Sequence, residues 1–126
     1  MLKGHAVKRL GKKARKGFRG YPVATVAFYG PDDTTATKVA VAIILAADQE
    51  PAELRRWLSD DRDVRADPRI TAEILDFIAE AGGKTVAMTD RIIGCPHEVG
   101  IDYEGPTCPR CPYWVGRDRW TGEILH

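Results

Sequence analysis

The chain has 126 residues, 44% of them hydrophobic, and a net charge of +1, enough length to close one core without disulfides and about the size of one domain. Its longest apolar stretch, from Val39 to Ala47, falls far short of the ~20 residues that span a bilayer, and the basic N-terminus lacks the apolar stretch of a secretory signal. Three cysteines crowded into seventeen positions do not make a disulfide framework, so a reducing, cytoplasmic setting without membrane contact is expected.

Charge divides the chain. No acid precedes Asp32, while Lys3, Lys8, Arg9, Lys12, Lys13, Arg15, Lys16 and Arg19 make the first segment strongly basic; from Asp32 onward eleven bases face eighteen acids. Residues 1–20, with four glycines and few large apolar side chains, are expected to form a basic flexible arm, mobile or weakly helical. Residues 21–126 are expected to form a single α+β domain.

Within that domain, "PVATVAFY" (22–29) is rich in β-branched and aromatic residues, "GPDD" (30–33) is turn chemistry, and "TKVAVAIIL" (37–45) is a second β-rich run. Together they predict an antiparallel hairpin. "PAELRRWLS" (51–59) places Leu54, Trp57 and Leu58 at helical spacing behind Pro51, which predicts a short helix. A second helix is better signalled: Asp67 as N-cap, Pro68 in the first turn, an apolar face of Ile70, Ile74, Phe77 and Ile78, and Gly82 as the stop. "KTVAMTD" (84–90) follows as a third strand. The outline is a β-hairpin, two helices, a third strand and a metal-bound C-terminal loop segment.

That last segment, residues 94–114, contains Cys95-x-His97 and Cys108-x2-Cys111. Three thiolates and one imidazole in two close pairs are the donor set and ligand count of a closed tetrahedral zinc site. Proline after each cysteine stiffens the turns, and Gly100, Gly105 and Pro106 let the chain between the pairs bend back. Glu98 and Asp102 are alternative fourth ligands in place of His97. A dithiol redox pair would need a helix after Cys108-x2-Cys111, and "PYW" supplies no convincing one. Zinc nucleobase deaminases pair His-x-Glu with a later Pro-Cys-x-x-Cys; here Glu98 directly follows His97 and Thr107 stands where that proline would be.

The run "TVAMTDRIIGCPHE" with "CPRCPYW" resembles the Rieske pattern, in which Cys-Pro-His and a later Cys-Pro-x-His hold a 2Fe-2S cluster. That resemblance implies Cys95, His97 and Cys108 as cluster ligands, with Cys111 in place of the second histidine. This departure, a short connecting loop and the lack of an all-β surround rank the cluster below zinc. From about Lys16 onward, "KGFRGYPVATVAFYGPD", "MTDRIIGCPHEVGIDYEG" and "CPRCPYWVGRDRW" also resemble a family of small uncharacterised bacterial proteins. No activity comes with that likeness.

The functional expectation is a non-enzymatic zinc-binding accessory or adaptor protein. Its basic arm, through Lys8, Arg9, Lys12, Lys13, Arg15, Lys16 and Arg19, would contact nucleic acid, RNA favoured, or an acidic protein surface. Phe18 and Tyr21 are candidate stacking residues. Tyr113, Trp114 and Trp120 are expected to cover the metal turn, with an exposed platform beside Arg110, Arg117 and Arg119 as the alternative. A Rieske-like electron-transfer or sensor protein is the second reading. A metal-dependent hydrolase built on Asp90, Asp32 and Asp33 is the third.

Overall fold

Buried and half-buried residues alternate along Val23–Tyr29 (β1), with Ala24, Val26 and Phe28 buried, and Val39, Val41 and Ile43 repeat that period in Lys38–Ile44 (β2). Side chains of period two suit a sheet with one face packed. The computed structural model describes residues 5–105 and 107–117, and in it the two strands pair antiparallel from Val23↔Ile44 to Tyr29↔Lys38, as the hairpin pattern predicts.

The segment predicted as a short helix is instead a strand, Glu53–Leu58 (β3), antiparallel to β2 from Lys38↔Leu58 to Ile43↔Glu53. The apolar spacing at 54, 57 and 58 is too short to decide between periods, and pairing with a finished hairpin decides it. As a strand it turns Trp57 inward, where its ring meets Phe77 edge-on at 6.1 Å, and turns Leu54, Arg56 and Leu58 to the other face. A 3₁₀ turn, Val64–Ala66, leads to the helix Pro68–Glu80, in which Asp67 accepts from the amides of Arg69 and Ile70 as the N-cap. Its buried residues include Ile70, Ile74 and Ile78, with Phe77 packed beside them. The last strand, Thr85–Ile92 (β4), lies parallel to β1 and completes a mixed sheet of order β3-β2-β1-β4.

The expectation of a flexible arm is corrected for residues 5–15, which form a helix, His5–Arg15. Here it is α1, and Pro68–Glu80 is α2. Leu10 is 5% exposed and sits in the main core, flanked by Ala6 and Ala14 on the same stripe. One turn separates each of these residues, so they form a narrow apolar seam that docks α1 on α2 and β4. Full burial of one leucine stabilises by about 1.5–3 kcal/mol, enough to hold a short helix that would not persist alone. The helices cover one face of the sheet. The other, bearing Ala40, Ala42 and Leu54, is only partly covered.

Asp63 ties the turn before α2 to the start of β2. Its carboxylate accepts from the amides of Ala36 and Arg65 and from the Arg65 guanidinium. Burial works to raise the Asp63 pKa, but those hydrogen bonds outweigh it and hold the group below its ordinary value. Asp63→Ala is expected to cost about 2 kcal/mol in urea unfolding. Because the folded pKa is depressed, this contribution is complete above the unfolded value of about 4 and is lost as pH falls through the lowered folded value. The gap between wild type and variant should therefore close in acid.

Candidate metal centre

Strand β4 runs directly into the first ligand pair. The Ile93 amide donates to the Phe28 carbonyl and the Gly30 amide to the Gly94 carbonyl, so Cys95 leaves the sheet beside the end of β1. Gly30 has no room for a side chain: a Cβ there would lie 2.1 Å from the Thr35 carbonyl oxygen. Gly30→Ala should cost about 3 kcal/mol or more, since backbone must shift, and a thermal melt would read it.

The two pairs converge. One donor atom from each of Cys95, His97, Cys108 and Cys111 lies within 4.8 Å of all the others. The His97 Nδ1 is 3.3 Å from the Cys95 Sγ, 3.4 Å from that of Cys108 and 3.5 Å from that of Cys111. A tetrahedral ion with metal–sulfur bonds of ~2.3 Å and metal–nitrogen bonds of ~2.0 Å would set each nitrogen–sulfur edge near ~3.5 Å. The group is therefore arranged to hold a metal ion and is compatible with zinc. All three cysteines are buried, and with Tyr103 and Trp114 they make a small apolar cluster separate from the main core.

Burial raises the Cys95 and Cys111 pKa values. Burial also opposes ionisation of Cys108, but the amides of Arg110 and Cys111 and the neighbouring thiols outweigh it and lower its pKa. A bound cation favours all three thiolates, so binding releases protons. The His97 amide donates to the Cys95 sulfur at 3.2 Å, fixing the first turn.

Both alternative fourth ligands are engaged elsewhere. Asp102 accepts from the Glu98 amide at 2.8 Å and closes a compact turn. Glu98 meets the Lys38 Nζ at 2.6 Å and the Arg56 Nε at 2.7 Å, and Arg56 first, then Lys38, lower its pKa. Lys38, with a side chain only 5% exposed, also donates to the Pro96 carbonyl at 2.9 Å. These two cations fasten the first ligand turn to the sheet face opposite the helices. Sequence reasoning missed both; the one available signal was a lysine opening an otherwise apolar β2.

The second pair is fastened by Trp114, in the 3₁₀ turn Pro112–Trp114, whose indole donates to the Gly30 carbonyl at 2.8 Å. Trp114 packs against both clusters, as expected of a residue that covers the metal turn, and Tyr113 meets Trp114 edge-on at 5.0 Å. Trp120 and Arg119, also named for a platform, lie outside the described residues, as do Pro106 and Lys3. Among the described residues, Asp32, Asp33 and Asp90 join no group of metal-competent side chains; Asp32 caps Thr34.

The basic residues divide into two sets. Lys13, Lys16 and Arg19 meet Lys84, from the turn before β4, around a groove of about 390 Å³. Lys8, Lys12 and Arg15 border a different cavity, and Arg9 is exposed beside neither. Among the described residues none of these eight is within 4.0 Å of a carboxylate, so the apolar seam, and no ion pair, accounts for the docking of α1. Phe18 is 67% exposed between Lys16 and Arg19, its ring held edge-on by Tyr21 at 5.4 Å. No helix is long and apolar enough to cross a membrane among the described residues. Comparison with protein-family models, curated proteins and solved structures returned no match.

Proposed function

We propose that the protein is a zinc-stabilised accessory module that contacts single-stranded nucleic acid, RNA favoured, through the groove formed by Lys13, Lys16, Arg19 and Lys84. The observation that carries this is the convergence of four cations from two chain segments, none of them in an ion pair among the described residues, with the exposed Phe18 lying between Lys16 and Arg19 in the chain. Phosphates take the cations and release counterions, and a base stacks on the ring. Lys84, on the far side of the groove, joins the list of candidate contacts. Zinc is favoured over a 2Fe-2S cluster because one imidazole nitrogen approaches all three sulfurs, which suits one ion; a Rieske cluster divides its cysteine and histidine ligands between two irons. Zinc here holds the C-terminal segment in place and takes no part in a reaction.

Fluorescence anisotropy with a short single-stranded RNA tests the groove. Deleting α1 would expose the core around Leu10, so charge removal is the cleaner variant. Lys13→Ala, Lys16→Ala, Arg19→Ala and Lys84→Ala together should flatten the plot of log affinity against log salt by up to about 2.8, at ~0.7 per phosphate contact on a single strand. Binding that is absent, or unchanged in salt slope in the quadruple variant, would overturn the reading.

A further inference from the structure

The second cavity on α1 belongs to neither the metal centre nor the groove. It is about 570 Å³, between α1, α2 and β4, within the usual range for small-molecule sites. Leu10, Phe28, Val64, Ile74 and Met88 form its apolar floor; Lys8, Lys12 and Arg15 stand on one rim. Gly11 opens it. This glycine sits mid-helix, where any common non-proline residue would stabilise α1 better, and an added Cβ would meet only the flexible Arg15 guanidinium, at 3.2 Å. Neither backbone conformation nor crowding calls for glycine there, and a larger side chain would project into the cavity.

We propose that this cavity binds a single-chain aliphatic carboxylate, its chain on the apolar floor and its head on Lys8, Lys12 and Arg15. Charge complementarity selects the head: Arg65 is paired with Asp63, and Asp90 is the only acid along the lining, outnumbered by three unpaired cations. The floor selects the tail. No buried side-chain nitrogen or oxygen lacks a partner among the described residues; Thr71 donates to the Asp67 carbonyl and Thr89 accepts from the Phe28 amide. A nucleobase would bring polar edges with nothing waiting for them, whereas a hydrocarbon chain leaves nothing unsatisfied. The inference uses other cations than the RNA groove and does not depend on it.

Isothermal titration of the full-length, zinc-loaded protein with octanoate, decanoate and dodecanoate, all below micelle formation, is the test. Saturable binding should tighten about fourfold for each added methylene. Gly11→Leu should weaken dodecanoate at least about tenfold while the melting temperature holds or rises, leucine being the better helix former. Lys8→Ala, Lys12→Ala and Arg15→Ala together should weaken dodecanoate by a similar factor and leave dodecanol unaffected. The proposal fails if dodecanoate shows no saturable binding below about 1 mM, if Gly11→Leu binds as wild type does, or if the triple variant loses carboxylate and alcohol alike.

Discussion

Replacing Cys111 with serine is expected to remove the bound metal and to unfold residues 94–117 while the sheet and α2 stay folded. Cys111 is 2% exposed at the centre of the cysteine cluster, and a serine hydroxyl gives a poorer ligand and a buried polar group. In small zinc domains metal binding contributes about 10–16 kcal/mol of apparent folding free energy, against the roughly 5–15 kcal/mol that stabilises a whole domain. The outcome is local because the cysteine cluster is separate from the helix–sheet core and shares with it only Trp114 among its packed side chains. Hydrogen exchange should show protection lost from Cys95 to Arg117 and kept across Val39–Ile43 and Ile70–Ile78. On the zinc reading proposed above, metal analysis should fall from one ion per chain to none, and a chelator should reproduce both effects. Global unfolding, or a segment still protected without metal, would refute this division.

Glu98→Ala should be the more damaging of two substitutions at the clamp under the first ligand turn, and Lys38→Met the milder. Removing the carboxylate strands Lys38, whose ammonium is nearly fully buried, with only the Pro96 carbonyl and the face of Tyr29 at 5.7 Å. Breaking a buried pair from one side costs about 3–5 kcal/mol; the one-third exposure of Glu98 places the expected loss near ~3 kcal/mol. Removing the lysine instead leaves Glu98 with Arg56 and partial solvent, and methionine keeps the packing, so ~1 kcal/mol is expected. Denaturant unfolding ranks the two, and competition with a zinc chelator should rank them the same way for metal affinity. The reverse order would mean that Lys38 acts through its packing rather than its charge.

What the sequence revealed was local. Asp67, Pro68 and the spacing of Ile70, Ile74 and Ile78 lie within one helix, and each half of the ligand set spans a few residues, so neighbours in sequence carried the signal. The hairpin was legible for the same reason. Glu53–Leu58 misled because six residues with apolar positions at 54, 57 and 58 satisfy either period, and the hydrogen bonds that decide it come from β2. His5–Arg15 was obscured by its charge: the seam of Ala6, Leu10 and Ala14 is one residue wide per turn and matters only once α2 and β4 supply a surface. Lys38 and Arg56 were invisible as supports of the metal turn because their partner Glu98 is 60 and 42 residues away.

The parallel pairing of β1 with β4 imposes an order of assembly. Phe28 and Ile93 join only after the chain has travelled through β2, β3 and α2, and Trp114 must return still further to reach Gly30. Contacts of such sequence separation form late, since loop closure has to be met before they contribute. A chain emerging during synthesis would present Cys95 and His97 with no anchored partners, and Cys108 and Cys111 later still. The last part of the chain to be made thus completes the candidate metal site, and a molecule without metal can still hold a finished sheet.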